Sequence, residues 1–353
     1  MASLELSDSV VLSDYGRPYI VAELNTSHFG NIETAKLMID KVKEAGCDCV
    51  KFQSWSSDTL YSKNYYDENP IAKRFIKKFS FSESELKDIL DYCRECNIAF
   101  ASTPYSRAEV DFLLKTCEVP YIKVASMDLN NLQYLKYIAE SGSPIVLSTG
   151  MGDMNEIHNA VNTIEKAGNN KICILHCVSI YPTEISKIRL NNIVGLRAEF
   201  PNYPIGFSDH SLGIEMPIAA AALGACMFEK HFTLDKEKIG MDNQMAIGSE
   251  EMTSLVSSVH NVHNALGGYE RIVYSEEIKQ RDNMRRSVVF SRELHKGSKL
   301  TLEDLDVKRP GTGFSPDKIS DFVGAILTCD VEENSLVLDS DVLFDAYQSS
   351  LTR

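Results

Sequence analysis

Eight short apolar runs recur along this chain, and each turns polar toward its C-terminal end. They are YIVAEL (19–24), CVKFQS (49–54), AFAST (99–103), YIKVAS (121–126), PIVLSTG (144–150), ICILHC (172–177), PIGFSDH (204–210) and CMFEKHF (226–232). The stretches between them have helical period. ETAKLMIDKVKEAG spaces Ala35, Met38, Ile39 and Val42 at three and four, then stops at Gly46. SESELKDILDYC opens on a capping box, Ser82 to Glu85, and NLQYLKYIAESG stops at Gly142. Eight strand–helix alternations predict an α/β fold, a (β/α)8 TIM barrel, whose last helix covers 249–268. A doubly wound open sheet is the alternative.

Beyond Gly268 the character changes. Residues 1–270 read as the barrel and 271–285 as a charged linker. Residues 286–353 read as a small β-rich module of short runs (SVVFS, SKLTL, LDVKRPG, SLVLD) punctuated by turns. At about 60 residues such a module is marginal alone, so it is expected to pack against a barrel. The long polar connection from Ser54 to Phe81, with Tyr61, Tyr65 and Tyr66, reads as a lid.

Charge narrows the function. Lys and Arg total 36 against 50 Asp and Glu, a net charge of -14. That argues against a nucleic-acid partner, which needs a basic footprint. It leaves room for an anionic small molecule, because a few converging lysines set a local field. No stretch approaches the roughly 18–20 apolar residues of a membrane span, and the N-terminus does not read as a signal peptide. The nine scattered cysteines suggest a reduced, cytoplasmic protein. Cys93 and Cys96 have CxxC spacing but lie in a helical pattern, so they read as structural thiols.

A parallel barrel gathers its strand ends on one rim. Here those ends supply Glu23, Lys51 with Gln53, Ser102 with Thr103, Lys123 with Ser126, Ser148 with Thr149, His176, Ser208-Asp209-His210, and Glu229-Lys230-His231. Ammonium and hydroxyl donors suit phosphate and carboxylate on one small anion. Two neutral imidazoles, His210 and His231, can hold a divalent metal that polarises a carbonyl. Glu23 suits a general base acting on water. A lone buried lysine is more often an ion-pair partner, and a lone histidine more often structural. That plainer reading is taken for His158, His260, His263 and His295, while His176 stays open.

With those residues in place, the chain resembles the sialic acid (N-acetylneuraminate) synthases and their legionaminic and pseudaminic acid synthase relatives. The blocks that carry the resemblance are VAELNTSHFG, AGCDCVKFQ, STPYS, YIKVAS, PIVLSTGM, LHCVSIYPT, GFSDHSLGI, ALGACMFEKHFTLD, RRSVVFSREL and KRPGTGFSP, in this order over nearly the whole length. The resemblance implies condensation of phosphoenolpyruvate with the open-chain aldehyde of an N-acylated hexosamine, giving a nine-carbon 2-keto acid and phosphate. It implies a Mn2+ or Mg2+ ion on His210 and His231. Lys51, Thr103, Lys123, Ser126, Ser148 and Ser208 would hold phosphoenolpyruvate, and Glu23 would handle the attacking water. Gln53, Tyr181 and Asp242 would touch the sugar. The terminal module resembles an antifreeze-like (SAF) domain of β-clip type. Its Arg309 would reach a partner's barrel in a domain-swapped homodimer.

The chain departs from the family pattern at Ser27, Asp128, Ser179 and the Gly240-Met241-Asp242 block, mostly on the expected sugar side. The acceptor is therefore expected to be N-acetylmannosamine or a diacetamido hexose of legionaminic or pseudaminic type. Two other functions compete. One is a class I aldolase using Lys51, Lys123 or Lys230 as a Schiff-base amine. The other is a non-catalytic glycan-binding protein.

Overall fold

The protein is described here from a computed structural model, which covers residues 2–7 and 9–344. Positions 345–353 of the expected terminal module lie outside the described residues. The chain divides into two compact units after Gly267.

The first unit opens with an antiparallel hairpin, β1 (Ser3–Ser7) and β2 (Val10–Ser13). Eight parallel strands follow: β3 (Tyr19–Glu23), β4 (Cys49–Ser54), β5 (Ala99–Pro104), β6 (Ile122–Val124), β7 (Ile145–Ser148), β8 (Ile172–Cys177), β9 (Ile205–Asp209) and β10 (Met227–His231). Their order is β5-β4-β3-β10-β9-β8-β7-β6. The first barrel strand thus pairs with the last, as a barrel requires and a doubly wound sheet does not. β5 and β6 lie side by side without a hydrogen-bonded ladder. That seam is bridged instead by the Tyr134 hydroxyl, which donates to the Pro104 carbonyl at 2.9 Å.

Side-chain alternation makes two cores. Outward residues such as Ile20, Ala22, Val50, Phe52, Ile122 and Phe207 pack against the helices. Inward residues at the N-terminal end, including Tyr19, Val21, Cys49, Tyr121, Val146, Cys173 and Met227, form a separate floor with Leu4, Leu6 and Leu12 of the hairpin. The hairpin plugs the barrel bottom, and the sequence reading passed over it. Its signal is the two-residue alternation of Leu4 and Leu6 with polar neighbours.

Several expected elements form as read. The helix Ile32–Glu44 buries Ala35, Met38, Ile39 and Val42, and Gly46 follows with φ 88°. The Ser82–Glu85 capping box closes in both directions. The last barrel helix is Ser249–Leu266. Two segments differ. The stretch 54–81 carries helices Lys63–Glu68 and Pro70–Phe79, started by a Ser62 cap and by Pro70 at a first turn. The charged stretch 271–285 carries helix Ser275–Met284, none of whose residues is buried. Cys93 is buried and Cys96 half-buried, both as free thiols.

The second unit pairs β11 (Ser287–Phe290) with β12 (Leu305–Lys308), and β13 (Ile326–Leu327) with β14 (Val342–Leu343), both antiparallel. Its own core gathers Val288, Phe290, Leu300, Phe322, Leu327 and Val337. The runs SKLTL and SLVLD form only isolated bridges, Lys299 to Ile326 and Leu336 to Val289. Among the described residues no helix is long and apolar enough to cross a membrane.

Candidate active site

Above the apolar floor the inward positions become polar, because strands β3 to β10 end there. The register sets the neighbours: His231 lies beside Glu23, Glu23 beside Lys51, Gln53 beside Thr103, and Glu229 beside Ser208. These side chains line one cleft of about 370 Å³ at the C-terminal end of the barrel.

Two buried lysines dominate it. Lys51 pairs with Glu23 and donates to Thr103 Oγ1 at 3.0 Å. Lys123 donates to Ser148 Oγ at 2.7 Å. Glu229 reaches both from β10, 3.7 Å from Lys51 and 3.9 Å from Lys123, and accepts from Ser208 Oγ at 3.1 Å. Glu23 also accepts from the Asn25 amide at 2.7 Å and, more loosely, from Gln53. Gln53 is itself held by the Tyr105 hydroxyl at 3.0 Å.

The environment separates the two carboxylates. Burial and the nearby Glu229 raise Glu23 above the usual carboxylate range, although Lys51 opposes them. Burial would raise Glu229 too, but Lys123, Lys51 and His210 outweigh it and hold Glu229 low. One group is then suited to carry a proton while its neighbour stays charged. For Lys51 the burial effect is overcome by Glu229 and Glu23, and its pKa rises. For Lys123 burial prevails and its pKa falls.

On the far side stand the two histidines, ring centroids 5.4 Å apart. His210 Nδ1 lies 2.9 Å from the Val178 carbonyl, so it carries the proton and leaves Nε2 as the free nitrogen. Burial and His210 push His231 well below the usual imidazole range, so its ring is neutral. Asp242 Oδ2 is 3.8 Å from His231 Nδ1, and burial lifts its pKa to about 6. Among the described residues no three His, Cys, Asp or Glu side chains cluster as a full metal site. Burial would lower His210 as well, but Cys177, the Val178 carbonyl and Glu229 outweigh it and raise its pKa. His231 as a neutral ligand, His210 once its Nε2 is deprotonated, and the carboxylate nearby fit an ion that keeps open positions for substrate oxygens. Tyr181 stacks obliquely on His210 at 4.3 Å.

The expected substrate, catalytic and metal residues line this cleft except Asp128 and Arg309. Of the other strand-end residues expected on the rim, Ser102, Thr149, Asp209 and Lys230 are not among its lining, Ser102 bonding to Ser54 and Lys230 to Asp209 instead. Asp128 is half-buried and accepts from Asn131 at 3.1 Å. It is not among the cleft's lining residues. Arg309 belongs to the second unit. His176 is structural, its Nε2 2.6 Å from the Ile188 carbonyl. The roles read from sequence left out Asn25, Trp55, Tyr105 and Cys177, which also line the cleft. Tyr105 stood in the STPYS block and could have been found there. Gly150 needs its missing side chain, since a Cβ would fall 2.2 Å from Ser179 Oγ and 2.7 Å from Ser126 Oγ.

The model of the NeuB family matches residues 38–271, and that of the SAF domain matches 285–343. The N,N'-diacetyllegionaminic acid synthase of Legionella pneumophila is 34% identical over 91% of this chain and 93% of its own. The N-acetylneuraminate-9-phosphate synthase of Drosophila melanogaster is 31% identical over 92% of this chain and 96% of its own. The solved N-acetylneuraminic acid synthetase of Leptospira borgpetersenii, a citrate complex, superposes with a TM-score of 0.72 at 30% identity, covering 80% of this chain and 98% of that one.

Proposed function

The chain belongs to the NeuB family, and from that premise we propose that it is a nonulosonic acid synthase of the cytoplasm, condensing phosphoenolpyruvate with an N-acylated hexosamine. The observation that carries the reading is the pair of buried lysines, bridged by Glu229 and facing two imidazoles in one cleft. Lys51 and Lys123 are the charges that would face the phosphate and carboxylate of phosphoenolpyruvate, with Thr103, Ser126, Ser148 and Ser208 as hydroxyl partners.

In the reaction, C3 of phosphoenolpyruvate bonds to the aldehyde carbon, whose oxygen becomes a hydroxyl. Water adds at C2, and the bond from C2 to the phosphate oxygen breaks, leaving a 2-keto acid and inorganic phosphate. His210 and His231 would hold Mn2+ or Mg2+, which when bound polarises the aldehyde oxygen. Glu23, with its raised pKa, takes the proton of the water that adds at C2. Glu229 stays anionic; its charge favours the protonated form of both lysines and raises Lys51, while at Lys123 it opposes burial without overcoming it.

Gln53, Tyr181 and Asp242 would orient the sugar. Ser27 donates to Asn243 Oδ1 at 3.2 Å, tying that altered position to the residue after the Gly240-Met241-Asp242 block. The departures at Ser27, Asp128, Ser179 and the Gly240-Met241-Asp242 block are the reason to propose a diacetamido hexose ahead of N-acetylmannosamine. Arg309, whose place is in the second unit, would complete the site of a partner copy in a homodimer.

The test is phosphate release from phosphoenolpyruvate with Mn2+, offered N-acetylmannosamine, its 6-phosphate or diacetamido hexoses, each with and without EDTA. Chelator-sensitive release with a diacetamido hexose is the expected result. Clear preference for N-acetylmannosamine would defeat the acceptor assignment. The Schiff-base alternative has one observation in its favour, the lowered pKa of Lys123. It requires borohydride trapping with a carbonyl substrate and insensitivity to chelation; the synthase shows neither.

A further inference from the structure

Behind the two histidines lies a buried ion pair that the reaction itself does not use. Asp209 and Lys230 point outward from β9 and β10, away from the cleft, because they alternate with the inward Ser208, His210, Glu229 and His231. They are paired residues in the parallel register of the two strands. Lys230 Nζ donates to Asp209 Oδ2 at 2.6 Å and to the Ser211 carbonyl at 2.6 Å. Asp209 Oδ1 in turn accepts from the Ser211 amide at 2.9 Å and from its hydroxyl at 2.7 Å. Asp209, Lys230 and Ser211 are 2%, 1% and 0% exposed.

The consequence is positional. The residues on both sides of His210 are tied to one ammonium, and that ammonium belongs to the residue immediately before His231. We propose that Lys230 and Asp209, with Ser211, are positioning residues that fix the separation of the His210 and His231 imidazoles and so set the affinity for the divalent ion. This rests on the metal assignment of the proposed function. Groups behind ligating histidines commonly change metal affinity by about 10–100-fold when removed. Removing one partner alone would leave a buried unpaired charge, whereas replacing both with apolar side chains is tolerated far better.

The experiment measures Mn2+ affinity by calorimetry and by the electron paramagnetic resonance signal of free Mn2+. It compares the full chain with the double variant Asp209→Leu/Lys230→Met. The variant is expected to keep the wild-type thermal midpoint within a few degrees and its KM for phosphoenolpyruvate, and to bind Mn2+ about 10–100-fold more weakly. Unchanged Mn2+ affinity in a folded double variant overturns the proposal. So does a loss of phosphoenolpyruvate binding that matches the loss of Mn2+, since that reports general damage to the cleft. Should the double variant not fold, Ser211→Ala decides: it removes one hydrogen bond and no charge. A severalfold weaker Mn2+ affinity supports the proposal and an unchanged one overturns it. Absence of Mn2+ binding by the wild-type protein would instead overturn the metal assignment, and this inference with it.

Discussion

At the residue scale the site is a set of charges whose neighbours decide their protonation. Glu23 and Glu229 have the same side chain and equal burial, yet their pKa values move apart because Glu229 faces two lysines and His210. Replacing Glu23 with Gln keeps its shape and removes its basicity. Phosphate release should fall by about 10²–10⁴-fold, while Mn2+ affinity measured by calorimetry stays at the wild-type value. A second residue reports on stability. His28 stacks on Phe81 at 4.2 Å, accepts from the Gly30 amide through Nδ1, and has its pKa pushed by burial down to about 4. An unfolded histidine titrates near about 6.5. Between those values the unfolded chain binds the extra proton, so stability is lost as pH falls from about 6.5 to about 4, by up to about 3 kcal/mol. Denaturant titrations over this range should show a steeper acid decline for the wild type than for His28→Phe. Parallel profiles would remove His28 as the cause.

At the element scale, the eight polar-ended strands and their helices were legible because periodicity and strand-end polarity are local properties. Ala35, Met38, Ile39 and Val42 announce a buried helical face without tertiary information. The rim was legible for the same reason: a barrel turns sequence position along a strand into a place on one ring. What could not be read depends on partners distant in sequence. The β1–β2 hairpin is too short to be stable alone, and only the barrel floor of Tyr121, Cys173 and Met227 makes it worth forming. The bracket around Lys230 needs the β9–β10 register, which no single run encodes. The plug yields its own prediction. Leu12 is fully buried there, so Leu12→Ala should cost about 2–5 kcal/mol in denaturant unfolding. The loss should come without a change in the KM for phosphoenolpyruvate, because the floor lies below the cleft. A change under about 0.5 kcal/mol, the range of ordinary surface substitutions, would show the hairpin to be ornamental.

At the scale of the whole molecule, among the described residues, the two cores of the barrel unit and the core of the second unit share no residue. Separate cores imply separate cooperativity. A chain ending at Gly267 should therefore show its own sharp thermal transition and native near-ultraviolet circular dichroism; a broad, non-cooperative melt would contradict this. Within the barrel, the unladdered junction of β5 and β6 has a further meaning. Lys51 is anchored to β5 through Thr103, and Lys123 stands on β6 and is anchored to β7 through Ser148, so the two ammoniums sit on opposite banks of the one gap in the hydrogen-bonded cylinder. Amide protons along those two edges have no partner strand to hide behind, and deuterium should enter there before it enters β9 or β10. A trianion held by both lysines would act as a suture: phosphoenolpyruvate should slow exchange along that gap more than anywhere else in the barrel, including around the sugar side of the cleft.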